Sequence, residues 1–270
     1  MAQPSDPIIT LGWLQVLLLL GLVAAVLVMS LGLRLGLVRE LSIATVRSIV
    51  QLVAVGLVIG WVFDHRTWYW VLGLLMMMTA VAGLTGARRS AVKAPWLSGL
   101  FGFVLGSVTA VTLIYCTVVV LRIDEWNPQY LIPLGGMMLG NAMTAATLAV
   151  ERLIADLKRS GGDVEVMLAL GASPAQALGP LMRSAVRTAM MPTINTMMIV
   201  GIVQIPGMMT GQMLGGSDPL QAALYQFLIL VAIAFCAAFS ATGMIQLLYR
   251  RFFNAAWQLD RAALDRLRLQ

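Results

Sequence analysis

The stretch PLQAALYQFLILVAIAFCAAFSATGMIQLLY, residues 219–249, contains no Asp, Glu, Lys or Arg. A helix of about 20 apolar residues crosses the roughly 30 Å hydrocarbon core of a bilayer. A soluble helix of this length would carry a charged face, and this one has none, so it reads as a membrane span. Working outward from it along the chain, six further charge-poor runs appear. Spans are expected at about 8–33, 42–63, 67–87, 96–121, 129–150, 188–214 and 220–249. The second is long enough only if it begins near Ser42 and Arg47 snorkels toward the headgroups.

Composition leads to the same class. Of 270 residues, 60% are apolar and 11% charged, against about 25% charged in soluble domains. So few charges cannot cover a water-facing surface, which excludes an ordinary soluble enzyme, and the apolar content excludes disorder. The 18 Met and 25 Gly suit helices packed closely in lipid. Cys116 and Cys236 stand in separate apolar runs and offer neither a disulfide framework nor zinc spacing. The leader Met1 to Pro7 holds Asp6 and no basic residue, so the first run is expected to be a retained helix, not a cleaved signal. The expected fold is an all-α integral membrane protein: a bundle of about seven transmembrane helices in one permease domain, 1–250, followed by a cytoplasmic amphipathic tail, 251–270.

Charge placement sets the expected orientation. With the N-terminus outside and the C-terminus inside, inner segments hold 16 of the 18 basic residues and 7 of the 12 acidic ones. Positive charge spread over four inner segments, without aromatic interleaving, excludes a nucleic-acid surface. Trp61, Trp68, Trp70 and Trp126 fall beside the outer edges, as an aromatic belt would.

One inner connection, 152–187, is too long for a plain loop. It has a polar stretch with the turn signal Ser160-Gly161-Gly162, then the helical apolar pattern of Val164 to Leu170. Gly171-Ala172-Ser173 follows, and Pro174 can open a second helix at its first turn. Two short helices joined by a glycine turn are expected. They could be an interfacial amphipathic hairpin or a docking element whose apolar face enters a partner groove.

The run Glu165-x5-Gly171-Ala172-Ser173-Pro174 resembles the cytoplasmic loop of ABC-transporter permeases, with Val166 and Met167 where that loop carries two alanines. Longer stretches resemble the FetB family of bacterial ABC permeases over about residues 40 to 250: Val46 to Leu52, Ile132 to Met143, Arg183 to Gly211, and Asp218-Pro219 with Tyr225-Gln226. The resemblance implies a permease exporting iron or contributing to metal tolerance in the bacterial cytoplasmic (inner) membrane. Plant relatives of that family extend the implied cargo to other metals or nucleotide sugars. The resemblance also implies that Glu165, Leu168, Leu170, Gly171, Ala172, Ser173 and Pro174 couple the permease to an ATPase subunit.

A translocation path is expected along spans five and six. Span five carries Asn141, Thr144 and Thr147, read as one polar stripe, with Met137 and Met138 nearby. Span six carries Asn195, Gln204, Met208 and Met209 between Pro192 and Pro206, which would interrupt its backbone bonding. Arg47 and Gln51 lie four apart on one face of span two, where Arg47 either anchors topology, meets an anionic group, or pairs with Glu40 or Glu151. The same polar residues could instead serve as hydrogen-bonding glue between helices.

The chain has no Gly-x4-Gly-Lys-Ser/Thr phosphate loop. No cofactor is expected in it; ATP and Mg would belong to a separate cytoplasmic ATPase, with two permease copies and two ATPases per complex. It is not expected to be an enzyme, for it has neither an HExxH motif nor a nucleophile–base pair. An ATP-independent secondary transporter is the rival, and that would normally show intramembrane acids.

Overall fold

The computed structural model describes residues 12–65, 67–90, 92, 94–122, 127–254 and 257–259. Trp126 and the tail from residue 260 onward lie outside the described residues. Eight α-helices occur among the described residues: α1 (Trp13–Gly32), α2 (Val38–His65), α3 (Trp68–Arg89), α4 (Leu97–Ile114), α5 (Pro128–Ala169), α6 (Pro174–Ile199), α7 (Gly207–Leu214) and α8 (Pro219–Leu248). α4 runs on as a π-helical segment, Tyr115–Val120, where Leu121 N–H bonds to Cys116 O at 2.9 Å. No strand occurs among the described residues. In lipid a helix satisfies its own backbone polar groups, and these sequences take that solution throughout.

Among the described residues six helices are long and apolar enough to cross a membrane: α1, α2, α3, α4 with its π segment, α5 and α8. The chain is therefore an all-α multi-pass membrane protein. The stretch expected as a further span, 188–214, is not one continuous helix. α6 ends at Ile199, residues 200–206 form a turn closed by Gly201 N–H to Gln204 O at 2.9 Å, and α7 starts at Gly207. From Arg187 to Ile199 the helix is about 18 Å long, short of the hydrocarbon thickness. Pro192 sits inside α6 without ending it; the break falls at Gly201 to Pro206 instead.

By packing, the chain divides into two units, one holding α1 and α2 with Leu214–Gly216, the other holding the remainder. In the first unit Ser30 Oγ accepts from Leu37 N–H at 3.2 Å and closes the α1–α2 turn. Most side chains of α1 and α2 are exposed.

The second unit is built around α5, which packs against α3, α4, α6 and α8. The close approaches depend on small residues. A Cβ added at Gly83 of α3 would lie 2.9 Å from both Cα and N of Gly102 on α4. That is backbone against backbone, so nothing can swing aside. Gly99 of α4 has open space around it.

α8 passes into a 3-10 turn, Tyr249–Phe252, at the start of the tail. Phe253 and Leu259 form an isolated antiparallel bridge, with Asn254 N–H bonded to Gln258 O at 3.0 Å. Leu259 folds back onto α5, its Cδ2 lying 3.6 Å from where a Gly161 Cβ would be.

Gly83→Ala is expected to lower stability by about 1–3 kcal/mol through overpacking, whereas Gly99→Ala is neutral or slightly stabilising. Thermal unfolding midpoints of the two purified variants in detergent check the contrast; equal midpoints would contradict the α3–α4 contact.

Candidate functional site

α5 holds 42 residues, about 63 Å of helix and twice the hydrocarbon thickness. Its first 23 residues, Pro128 to Val150, are charge-free and suffice for one crossing. The rest, from Glu151, carries Arg152, Asp156, Lys158, Arg159, Asp163 and Glu165 and extends beyond the apolar zone. Arg152 and Asp156 pair there at 3.0 Å, one turn apart. The expected turn at Ser160-Gly161-Gly162 is a kink. Ser160 leaves helical geometry (φ −115°, ψ 20°), yet the helix resumes and continues to Ala169. Leu157 and Val164 on either side are buried, and packing at those positions carries the helix past its glycines.

α6 returns beside α5, so the two helices of the inner segment are not short separate pieces. They continue the membrane helices. Their junction is locally encoded at each residue. Gly171 takes φ +90°, a conformation that disfavours any residue with a Cβ. Gly171 N–H bonds to Leu168 O and Ala172 N–H to Met167 O, both at 3.0 Å; this Schellman pattern satisfies the end of α5. Ser173 then caps α6: its Oγ accepts from Gln176 N–H at 3.3 Å, while Gln176 Oε1 accepts from Ser173 N–H at 2.9 Å. Pro174 fills the first helical position and is buried.

The tip presents apolar surface. Leu170 is 82% exposed and Val166 59%, with Met167 also open. Glu165, Leu168, Ala172 and Ser173 are half-buried. Beside the tip lies a groove of about 430 Å³ walled by Ser173, Pro174, Tyr249, Phe253 and Trp257. The C-terminal turn thus joins the same surface as the α5–α6 junction.

The path residues separate on inspection. Asn141 and Thr144 are exposed on one side of α5, with Met137 half-buried beside them. Met138 is fully buried. Thr147 is also buried, and its Oγ1 lacks a partner. The three-residue step explains this: each step turns about 60° short of a full circle, so Thr147 lies about 120° from Asn141. Asn195 is exposed on α6, Gln204 is exposed in the turn after it, and Met208 and Met209 are half-buried on α7. Arg47 and Gln51 are exposed on α2, in the other unit.

The polar side chains share one habit. Asn141 Nδ2 donates to Met137 O at 2.9 Å, Thr144 Oγ1 to Gly140 O at 3.0 Å, and Thr196 Oγ1 to Pro192 O at 3.0 Å. Each bonds to its own helix four residues back. Among the described residues no group of three or more His, Cys, Asp or Glu is placed to hold a metal ion.

Residues 13–253 match the family described as "Uncharacterised protein family (UPF0014)". The chain belongs to that family. Among its relatives, the "UPF0014 membrane protein slr1647" of Synechocystis is 38% identical over 93% of this chain and 98% of its own. The "UPF0014 membrane protein STAR2" of rice is 33% identical over 93% of this chain and 87% of its own. A protein of Escherichia coli named "Probable iron export permease protein FetB" is 30% identical over 90% of this chain and 92% of its own. No solved structure matches.

Sequence reasoning missed two features of this UPF0014 chain. The π-helical turn after α4 has no signal in the apolar run TLIYCTVVV. The groove at Tyr249, Phe253 and Trp257 requires the tail to double back, which an amphipathic pattern does not indicate.

Ser173→Ala removes the cap of α6. Local opening of the tip is expected to become about fivefold easier, on the order of 1 kcal/mol. Hydrogen exchange of the amides at 175–177 measures this, with exchange in α8 unchanged.

Proposed function

We propose that this UPF0014 chain is the membrane subunit of an ABC-type transporter that exports iron or otherwise serves metal tolerance. A separate ATPase subunit, which binds ATP and Mg, docks on the α5–α6 tip. The observation that carries this reading is the exposed apolar end of two helices that continue into the polar-sided membrane segments, α5 with a kink at Ser160. A partner gripping Leu170 and Val166 moves α5 and α6 as whole elements, and Asn141, Thr144 and Asn195 move with them. Closure of two ATPases around nucleotide would then switch two permease copies between inward- and outward-facing states. The charge asymmetry of the loops supports a cytoplasmic tip and C-terminus in a bacterial inner membrane.

The name of the Escherichia coli relative supports iron as cargo. The lining offers amide, hydroxyl and thioether atoms, which are weak partners for a hard bare ion. Iron would therefore pass in transit or with its own ligands, without a lasting site on this chain.

Leu170→Glu is expected to abolish copurification of the ATPase while leaving the permease folded, because Leu170 is 82% exposed. Undiminished copurification would remove the docking surface from the tip. Asn141→Leu is expected to slow metal efflux by about tenfold with the complex still assembled, checked by efflux from reconstituted vesicles with ATP. ATP-independent efflux by the purified permease alone would favour a secondary transporter instead.

A further inference from the structure

Two cavities adjoin near the start of α8. The larger, about 880 Å³, is a slot between the α4–π segment and α8, walled by Val111, Tyr115, Val120, Phe227, Leu228 and Phe235. Among the described residues no charged side chain lines it. Its lining runs along α8 from Gln221 to Phe235, about 21 Å of helix and more than the depth of one leaflet's hydrocarbon. The smaller, about 320 Å³, is the more polar of the two, with Tyr130, Gln212, Ser217, Gln221 and Tyr225 around it beside Leu121 and Ala222. Leu121, Gln221 and Tyr225 line both cavities. An apolar slot therefore opens beside a more polar pocket, and among the described residues no charged side chain lines either.

Two further observations point to an occupant. The Tyr225 hydroxyl and Gln212 Oε1 are buried and have no hydrogen-bond partner, a costly state that native proteins seldom leave unrelieved. The wall of the slot at Tyr115, Cys116 and Val120 is the π-helical turn, a wide geometry that recurs at functional sites. Water would relieve Tyr225 and Gln212 but would not fill a long apolar slot. Asp218 does not make the pocket anionic by lining it; its carboxylate is engaged by Leu220 N–H at 3.0 Å and Gln221 N–H at 3.1 Å as the cap of α8.

We propose that the paired cavities hold a bilayer lipid with an uncharged, hydrogen-bonding headgroup. One acyl chain lies in the slot against α8, and the head bonds to Tyr225 and Gln212 in the polar pocket. This assignment is independent of cargo and of the ATPase.

The test is photolabelling of the full chain in phosphatidylcholine vesicles. One preparation contains diacylglycerol with a photoreactive acyl chain, another phosphatidylglycerol with the same chain. Diacylglycerol is expected to label peptides covering 115–121 and 224–235 about fivefold more than the exposed face of α2, and the anionic lipid is expected to label them less. Leu228→Trp, which obstructs the slot, should cut that labelling to the level of α2. Tyr225→Phe keeps the shape and removes one head contact, and should reduce labelling by about fivefold. Equal labelling of α2 and α8, indifference to the Tyr225 hydroxyl, or copy-to-copy cross-links across Phe227 in place of lipid adducts would each overturn the proposal.

Discussion

Ala142, Ala145, Ala146 and Ala149 lie on α5, and none is more than 2% exposed. In lipid, apolar side chains gain nothing by leaving one hydrocarbon surface for another, so helices associate through close backbone approach and dense van der Waals contact. Short side chains at the centre of α5 permit that approach by α3, α4, α6 and α8. The same demand appears where α3 meets α4 at Gly83 and Gly102. A bulky residue at any of these positions would push apart two helices that hold a third in place. The arrangement of the second unit follows from what α5 lacks.

α5 also links the membrane to the region beyond it. Half of it lies among apolar neighbours, and half carries charge and ends at Leu170. The proposed docking surface and the proposed path therefore share a single backbone, with one departure from helical geometry at Ser160. α6 has the same double character, and its capping box fixes the angle at which it leaves the tip. Motion between the two regions needs no relay of side chains.

Much of this was legible in the sequence. The charge-free runs identify the membrane helices because lipid excludes charge from their faces. Three helix starts are written as a capping residue followed by proline: Asn127-Pro128, Ser173-Pro174 and Asp218-Pro219, each with the side chain accepting from backbone N–H. Gly171 at the tip is encoded with equal clarity. The failures have identifiable physical causes. Ser160-Gly161-Gly162 looks like a turn locally, but the burial of Leu157 and Val164 and the seat of Leu259 on Gly161 hold the helix together. Pro192 looks like a break, but although an internal proline loses one backbone bond and crowds the carbonyl four residues back, α6 continues through it. Thr147 looks like part of a polar stripe until the 3.6-residue turn is counted. The tail folds back through contacts distant in sequence, which no local pattern records.

The self-bonded polar side chains bear on how the protein is made. Asn141, Thr144 and Thr196 already have a backbone partner within their own helix. A segment carrying them can pass laterally from the translocation machinery into the bilayer before its neighbours have been synthesised, because its hydroxyls and amide need not wait for another helix. Assembly can then proceed in stages, insertion first and docking of the inserted helices afterwards. A polar group whose only possible partner lay on a later helix would make each early segment a hostage to the next.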